Sequence, residues 1–136
     1  MGTIKTDAFR IIIATEAVTF RNNLASKLRV DNFEVEFVTG GFHMLHLLEH
    51  MKEQLNMIII NEDMHDMSAQ EMIGLVRLAK SKSELPILFI SKNSDEADIR
   101  EMVLSGANEY VVQTANFNPI LDRAHKYLQI LKVNAA

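Results

Sequence analysis

The stretch NMIIINEDMHDM (Asn56–Met67) decides how the whole chain is read. Four apolar residues, Met57 to Ile60, stop at Asn61, and the acids Glu62 and Asp63 follow. A run that is apolar at every position suits a central strand covered on both faces. Such a strand carries Asn61 to the edge of a sheet. The question it raises is why that side chain is a neutral amide when carboxylates come next.

Outward from this strand, apolar runs alternate with amphipathic stretches. Ile11–Ala14 is a first strand, and Phe20, Leu24 and Leu28 recur at helical spacing after it, with Ala17 and Ala25 alongside. Phe33, Val35 and Phe37 alternate with Glu34 and Glu36, a strand with one wet face. TGGF (Thr39–Phe42) turns into a helix expected over Phe42 to Glu53. Met72, Ile73, Val76 and Ala79 mark a third helix, and Pro86 opens a strand over Ile87–Ile90. Ser94 is the expected N-cap of a helix carrying Ile99, Met102 and Val103, which Gly106 ends. Tyr110–Val112 is the last strand, and Leu121, Ala124, Leu128 and Leu131 line the last helix.

Strict strand–helix alternation predicts a doubly wound α/β fold of flavodoxin-like type, with a parallel five-stranded sheet of order 2-1-3-4-5. The half-polar second strand belongs at an edge. In such sheets the site lies at the carboxyl ends of the strands, at the switch point. The residues there are Thr15 and Glu16, Asn61, Ser91 and Lys92, and Gln113.

Composition narrows the classes. The 136 residues suit one domain, with a core expected over about 9–132. A net charge of −4 argues against a general nucleic-acid surface. There is no cysteine, so disulfides and thiol chemistry are excluded. MGTIKTDAFR does not resemble a signal peptide, and no run nears the ~20 apolar residues of a membrane helix. A cytoplasmic location is the expectation.

The same strand ends resemble those of the response-regulator receiver family (CheY-like), from about Ile11 to the last helix. SGANEYVVQT (Ser105–Thr114) is similar to the family's fifth-strand region up to Val112, with Tyr110 at its switch aromatic position. Met64 and Met67 set the loop register after Asn61, and Arg21 matches a common family arginine. The resemblance implies a place in two-component signalling or a phosphorelay. It also implies a phosphoacceptor aspartate where Asn61 stands, two metal-binding acids where Thr15 and Glu16 stand, and a lysine–proline pair where Gln113 and Thr114 stand. Ser91 keeps the family's hydroxyl, and Lys92 replaces a small residue.

These departures bear on the chemistry. An amide is a poor nucleophile and forms no stable acyl phosphate. Mg²⁺ takes oxygen ligands and usually one or two carboxylates. A transferred phosphoryl group needs a cation that Gln113 cannot supply. The expectation is a degenerate pseudo-receiver: no enzyme, no cofactor, weak or absent Mg²⁺ binding, and phosphorylation-independent binding of protein partners. The resemblance implies that a homodimer or partner uses the face of helix 4, strand 5 and helix 5. Lys92 is expected to pair with Glu16 or Asp63, in the space of metal and phosphate. The rival is a phosphorylatable regulator using Asp63 or Glu62 as acceptor.

A weaker motif is HLLEH (His46–His50), which matches the H-x-x-E-H pattern of inverted zincins. A hydrolase built on His46, Glu49 and His50 is disfavoured. The histidines share a helix face with Glu49 and Glu53, opposite Met44, Leu47, Leu48 and Met51, so they are expected to face water. An FMN site is also disfavoured, because TEAVTFR lacks glycine and puts Glu16 where a phosphate would sit.

Overall fold

The computed structural model describes residues 8–51 and 54–135. The elements are β1 Arg10–Ala14, α1 Val18–Val30, β2 Glu34–Val38, α2 Gly41–His50, β3 Met57–Asn61, α3 Ala69–Ala79, β4 Ile87–Ser91, α4 Glu96–Ser105, β5 Glu109–Val112 and α5 Asn118–Ala135. All strand pairs are parallel, in the order β2-β1-β3-β4-β5. The fold class and strand order are those read from the sequence.

Side-chain alternation sorts the strands into two core layers. Ile11, Ile13, Met57, Ile59, Leu88, Ile90 and Val111 pack under α1 and α5. Ile12, Ala14, Ile58, Ile60, Ile87 and Phe89 pack under α2, α3 and α4. Every residue of β3 and β4 is buried, which explains their unbroken apolar runs. Burying each isoleucine side chain contributes roughly 1.5–3 kcal/mol. The edge strand β2 is partly wet, and Glu34 and Glu36 pair there with Arg10.

Several local boundaries differ from the sequence reading. α2 ends at His50, because Met51 is already extended (ψ 125°) and tucks against the α2–α3 core layer; Lys52 and Glu53 lie outside the described residues. β4 runs one residue further, to Ser91, and β5 starts one earlier, at Glu109. The N-cap of α4 is Asp95 rather than Ser94. The Asp95 carboxylate accepts the Ala97 N–H at 2.7 Å, and a carboxylate is favoured at the positive end of a helix dipole. α3 opens on a capping box between Ser68 and Glu71.

Gly106 closes α4 with φ 125°, and a Cβ there would meet Arg77 Cγ at 2.7 Å. Arg77 needs that closeness. Its guanidinium donates to the carbonyls of Gly106, Lys80, Ser81 and Leu85 and to Asn108 Oδ1. One side chain thereby ties the end of α3, the entry to β4 and the α4–β5 turn.

Candidate functional site

Thr15, Asn61 and Gln113 share the parity of Ile13, Ile59 and Val111, so all three point to the α1–α5 side of the sheet. Backbone bonds hold their stems: Thr15 N donates to Val38 O at 3.2 Å, and Gln113 N to Ser91 O at 2.7 Å. Their side chains form one neutral chain. The Thr15 hydroxyl donates to Asn61 Oδ1 at 3.2 Å and accepts the Ala17 N–H at 3.0 Å. Asn61 Nδ2 donates to Gln113 Oε1 at 2.9 Å and to the Ile90 carbonyl at 3.3 Å. A carbonyl only accepts, so the Ile90 contact fixes which way the Asn61 amide faces. Thr15 is 1% exposed and Asn61 6% exposed, so their bonds are made out of water, while Gln113 is half-buried at the network's outer end.

Ser91 has the opposite parity, that of Phe89, and points to the α3–α4 side. Its hydroxyl accepts the Asn93 N–H at 3.1 Å and stays apart from the Thr15–Asn61–Gln113 chain. Asn93 in turn accepts the Tyr110 hydroxyl on its carbonyl at 2.6 Å, with the Tyr110 ring 5.4 Å from Phe89. Asn93 Nδ2 also bonds Asp98.

The loop after β3 is pinned at each step. Glu62 takes φ 64°, a left-handed conformation uncommon for a non-glycine residue, and swings the chain away from the strand direction. Asp63 Oδ1 accepts the Ala69 N–H at 2.8 Å, at the start of α3. His65 donates its N–H to Glu16 Oε2 at 2.8 Å and its ring Nδ1–H to the same oxygen. Those bonds hold the Glu16 carboxyl below its ordinary value and raise the His65 imidazole above its own. Asp66 reaches α2, accepting from Gly41 N at 2.9 Å and Phe42 N at 3.1 Å, which lowers its pKa. The Gly40–Gly41 pair makes the seat: a Cβ on Gly40 would meet Asp66 Oδ2 at 2.9 Å, and one on Gly41 would overlap the Met67 side chain.

The expected pairing of Lys92 is therefore corrected. Glu16 is held by His65, Asp63 is turned to α3, and Lys92 forms no ion pair among the described residues. Lys92 instead lines an open groove of about 910 Å³ with Gln113, Phe20 and Phe117. His65, Asp66 and Asn93 are the residues that sequence reading missed. No local pattern marks them, since His65 meets Glu16 across 49 residues.

The donor set does not fit the Mg²⁺ ion of the resembled sites. Thr15 and Asn61 are engaged with each other, and the carboxylate of Glu16 is engaged by His65. Among the described residues no three His, Asp or Glu side chains come together to hold a metal. His43, His46 and His50 are exposed, with the His46 and His50 rings stacked at 4.3 Å. The HLLEH face looks into water, as its periodicity implies.

The β5–α5 side is partly closed on itself. Glu109 accepts from Arg123 Nε at 3.0 Å, from the Tyr127 hydroxyl at 2.6 Å, and from Lys126. Burial and the Glu109 carboxylate push the Tyr127 phenol well above its ordinary range. Leu104 and Val112 remain exposed on the α4–β5 surface.

Comparison with known proteins agrees with this architecture. The model of the response regulator receiver domain matches residues 11–125. Two-component response regulator ARR12 of Arabidopsis thaliana is 27% identical over 104 residues, 76% of this chain but 17% of that protein. A CheY-like receiver domain protein from Methanospirillum hungatei superposes with TM-score 0.80 at 16% identity, covering 93% of this chain and 98% of that one. The receiver domain of Ssk1, solved with the histidine phosphotransfer signaling protein Ypd1 of Saccharomyces cerevisiae, gives TM-score 0.79 at 16% identity, with 91% of each chain covered. With its strands, register and strand-end site positions in this arrangement, the chain belongs to the response regulator receiver domain family.

Proposed function

We propose that this receiver domain of two-component signalling is a pseudo-receiver. It binds protein partners without being phosphorylated. One observation carries the reading: both polar atoms of the Asn61 amide are already paired, with Thr15, Ile90 and Gln113. The position that holds the family's acceptor is part of a buried neutral network, with neither nucleophile nor cation. The alternative acceptors gain no support. Asp63 is turned to the N-terminus of α3, and both it and Glu62 lie on the α3–α4 side, away from Gln113.

The face of α4, β5 and α5 is the partner or homodimer surface in this reading, and its exposed Leu104 and Val112 favour it. No helix of the described residues is long and apolar enough to cross a membrane. The test is incubation with acetyl phosphate and Mg²⁺ followed by intact mass. The expected result is an unchanged mass. A phosphate-sized gain that disappears in Asp63→Asn or Glu62→Gln overturns the reading.

A further inference from the structure

A cleft of about 540 Å³ opens between α3 and α4 on the side of the sheet away from the Asn61 network. Phe89, Met102 and Tyr110 line it among neutral polar side chains such as Gln70 and Asn93. Its rim carries four carboxylates, Glu62, Asp63, Asp98 and Glu101. They are spread around a groove rather than gathered at a point, since no three of the described acids and histidines form a metal-sized group.

Charge complementarity selects the occupant. Of the twelve other described acids, five are matched within the fold: Glu34 and Glu36 by Arg10, Glu16 by His65, Asp31 by His125, and Glu109 by Arg123 and Lys126. None of the four rim carboxylates forms an ion pair among the described residues. Asp63 and Asp98 accept only from neutral donors, the Ala69 N–H and the Asn93 amide, which orient them without cancelling charge. Arg100 lies about 200° around α4 from Asp98 and does not line the cleft. Ser91 is 9% exposed and lines the same cleft; its oxygen accepts from Asn93 N, and its own proton has no acceptor among the described residues.

An arginine matches the unpaired carboxylates and the apolar side chains, and the carbonyls of the segment that carries it can accept the Ser91 proton. Its guanidinium forks onto carboxylates and stacks on aromatic faces, while its methylene stem covers apolar surface. The volume admits side chains of an extended segment, not a folded domain. We propose that this cleft docks an arginine-bearing extended segment of a partner protein, with the cationic heads at Glu62, Asp98 and Glu101 and the stems on Phe89, Met102 and Tyr110. The inference rests on the reading of the domain as an interaction module and names the chemistry of one partner.

The test is a titration of the ¹⁵N-labelled domain with an end-blocked peptide of alternating arginine and leucine. The same peptide with glutamate for arginine is the control. The arginine peptide is expected to shift the amides of Glu62, Asp98, Glu101 and Tyr110, less so at high salt, and the glutamate peptide to leave them in place. Glu62→Gln with Glu101→Gln is expected to raise Kd roughly tenfold, the effect of losing two partly screened charge pairs, whereas Glu49→Gln on α2 leaves it unchanged. If the double variant does not fold, Asp98→Asn is read in its place. Equal shifts by both peptides, shifts centred outside the cleft, an indifferent double variant, or shifts that follow protein concentration alone each overturn the proposal. Phosphoryl gain from acetyl phosphate would defeat the pseudo-receiver reading and leave this titration to be judged by itself. A silent titration without phosphoryl gain removes the cleft alone.

Discussion

Asn61 donates its amide to Gln113 across 2.9 Å, joining the ends of two strands that do not touch in the sheet. β4 lies between them and contributes the Ile90 carbonyl as a second acceptor. In a charged phosphate pocket this span would hold an acid facing a lysine. Here two amides and a hydroxyl close it with no net charge.

Asn61→Asp alone is expected to leave the protein unlabelled by acetyl phosphate and less stable. A carboxylate would face the Ile90 carbonyl with no proton to share, at a cost of about 1–3 kcal/mol, read as a lower urea midpoint. Adding Thr15→Asp and Gln113→Lys supplies a metal acid and a cation. The triple variant is expected to gain a phosphate-sized mass with Mg²⁺. Stable labelling of the single variant would show that phosphorylation here needs neither the metal acid nor the lysine.

The Glu16–His65 clasp depends on pH from both sides. Glu16 has a lowered folded pKa, so its contribution is present above its ordinary value of 4.5 and lost as pH falls through the folded value. His65 has a raised folded pKa, so its contribution is full below 6.5 and lost as pH rises through the folded value. The clasp is therefore complete between about pH 4.5 and 6.5. In an NMR titration, the His65 midpoint is expected to fall toward its ordinary value in Glu16→Gln. An unmoved midpoint would mean the ring does not meet that carboxylate in solution.

Asp66→Ala releases the first N–H groups of α2. Hydrogen exchange at Gly41 and Phe42 is expected to accelerate, while Ala69, capped by Asp63, stays protected. Unchanged exchange at Phe42 would argue that the cap is not populated.

Arg77→Met is expected to cost about 2–4 kcal/mol in urea unfolding, because several partly buried carbonyls lose their donor. Arg77→Lys is expected to recover little, since one ammonium cannot reproduce a planar fork. Full rescue by lysine would mean charge, rather than geometry, holds this junction.

Tyr110→Phe removes the bond to the Asn93 carbonyl and is expected to cost about 0.5–1.5 kcal/mol. The Asn93 and Ser94 amide signals are expected to shift with it. An unperturbed β4–α4 loop would contradict this anchoring.

Local patterning carried the architecture. The apolar run Met57–Ile60, the alternation in Phe33–Phe37 and the helical stripes each report burial of one element, and burial follows from residue type at a fixed period. Five such segments in alternation leave few topologies, and the strand-end positions of Thr15, Asn61, Ser91 and Gln113 follow from them. Element ends were less legible. Ser94 and Asp95 are both good capping residues, and the competition is settled by Asn93 Oδ1, which takes the Asp95 N–H.

The partners of the site residues were decided only in three dimensions. The sequence suggested a pairing of Lys92 with Glu16 or Asp63, but the left-handed turn at Glu62 carries Asp63 to α3 and brings His65 onto Glu16. Strand parity likewise separates Ser91 from Gln113, although one ends β4 and the other directly follows the neighbouring β5. By itself, the sequence determined a receiver fold with an uncharged acceptor position, because strand identity and residue chemistry are local. Which groups meet across the loops was decided by tertiary structure, because a single backbone dihedral redirects every side chain that follows it.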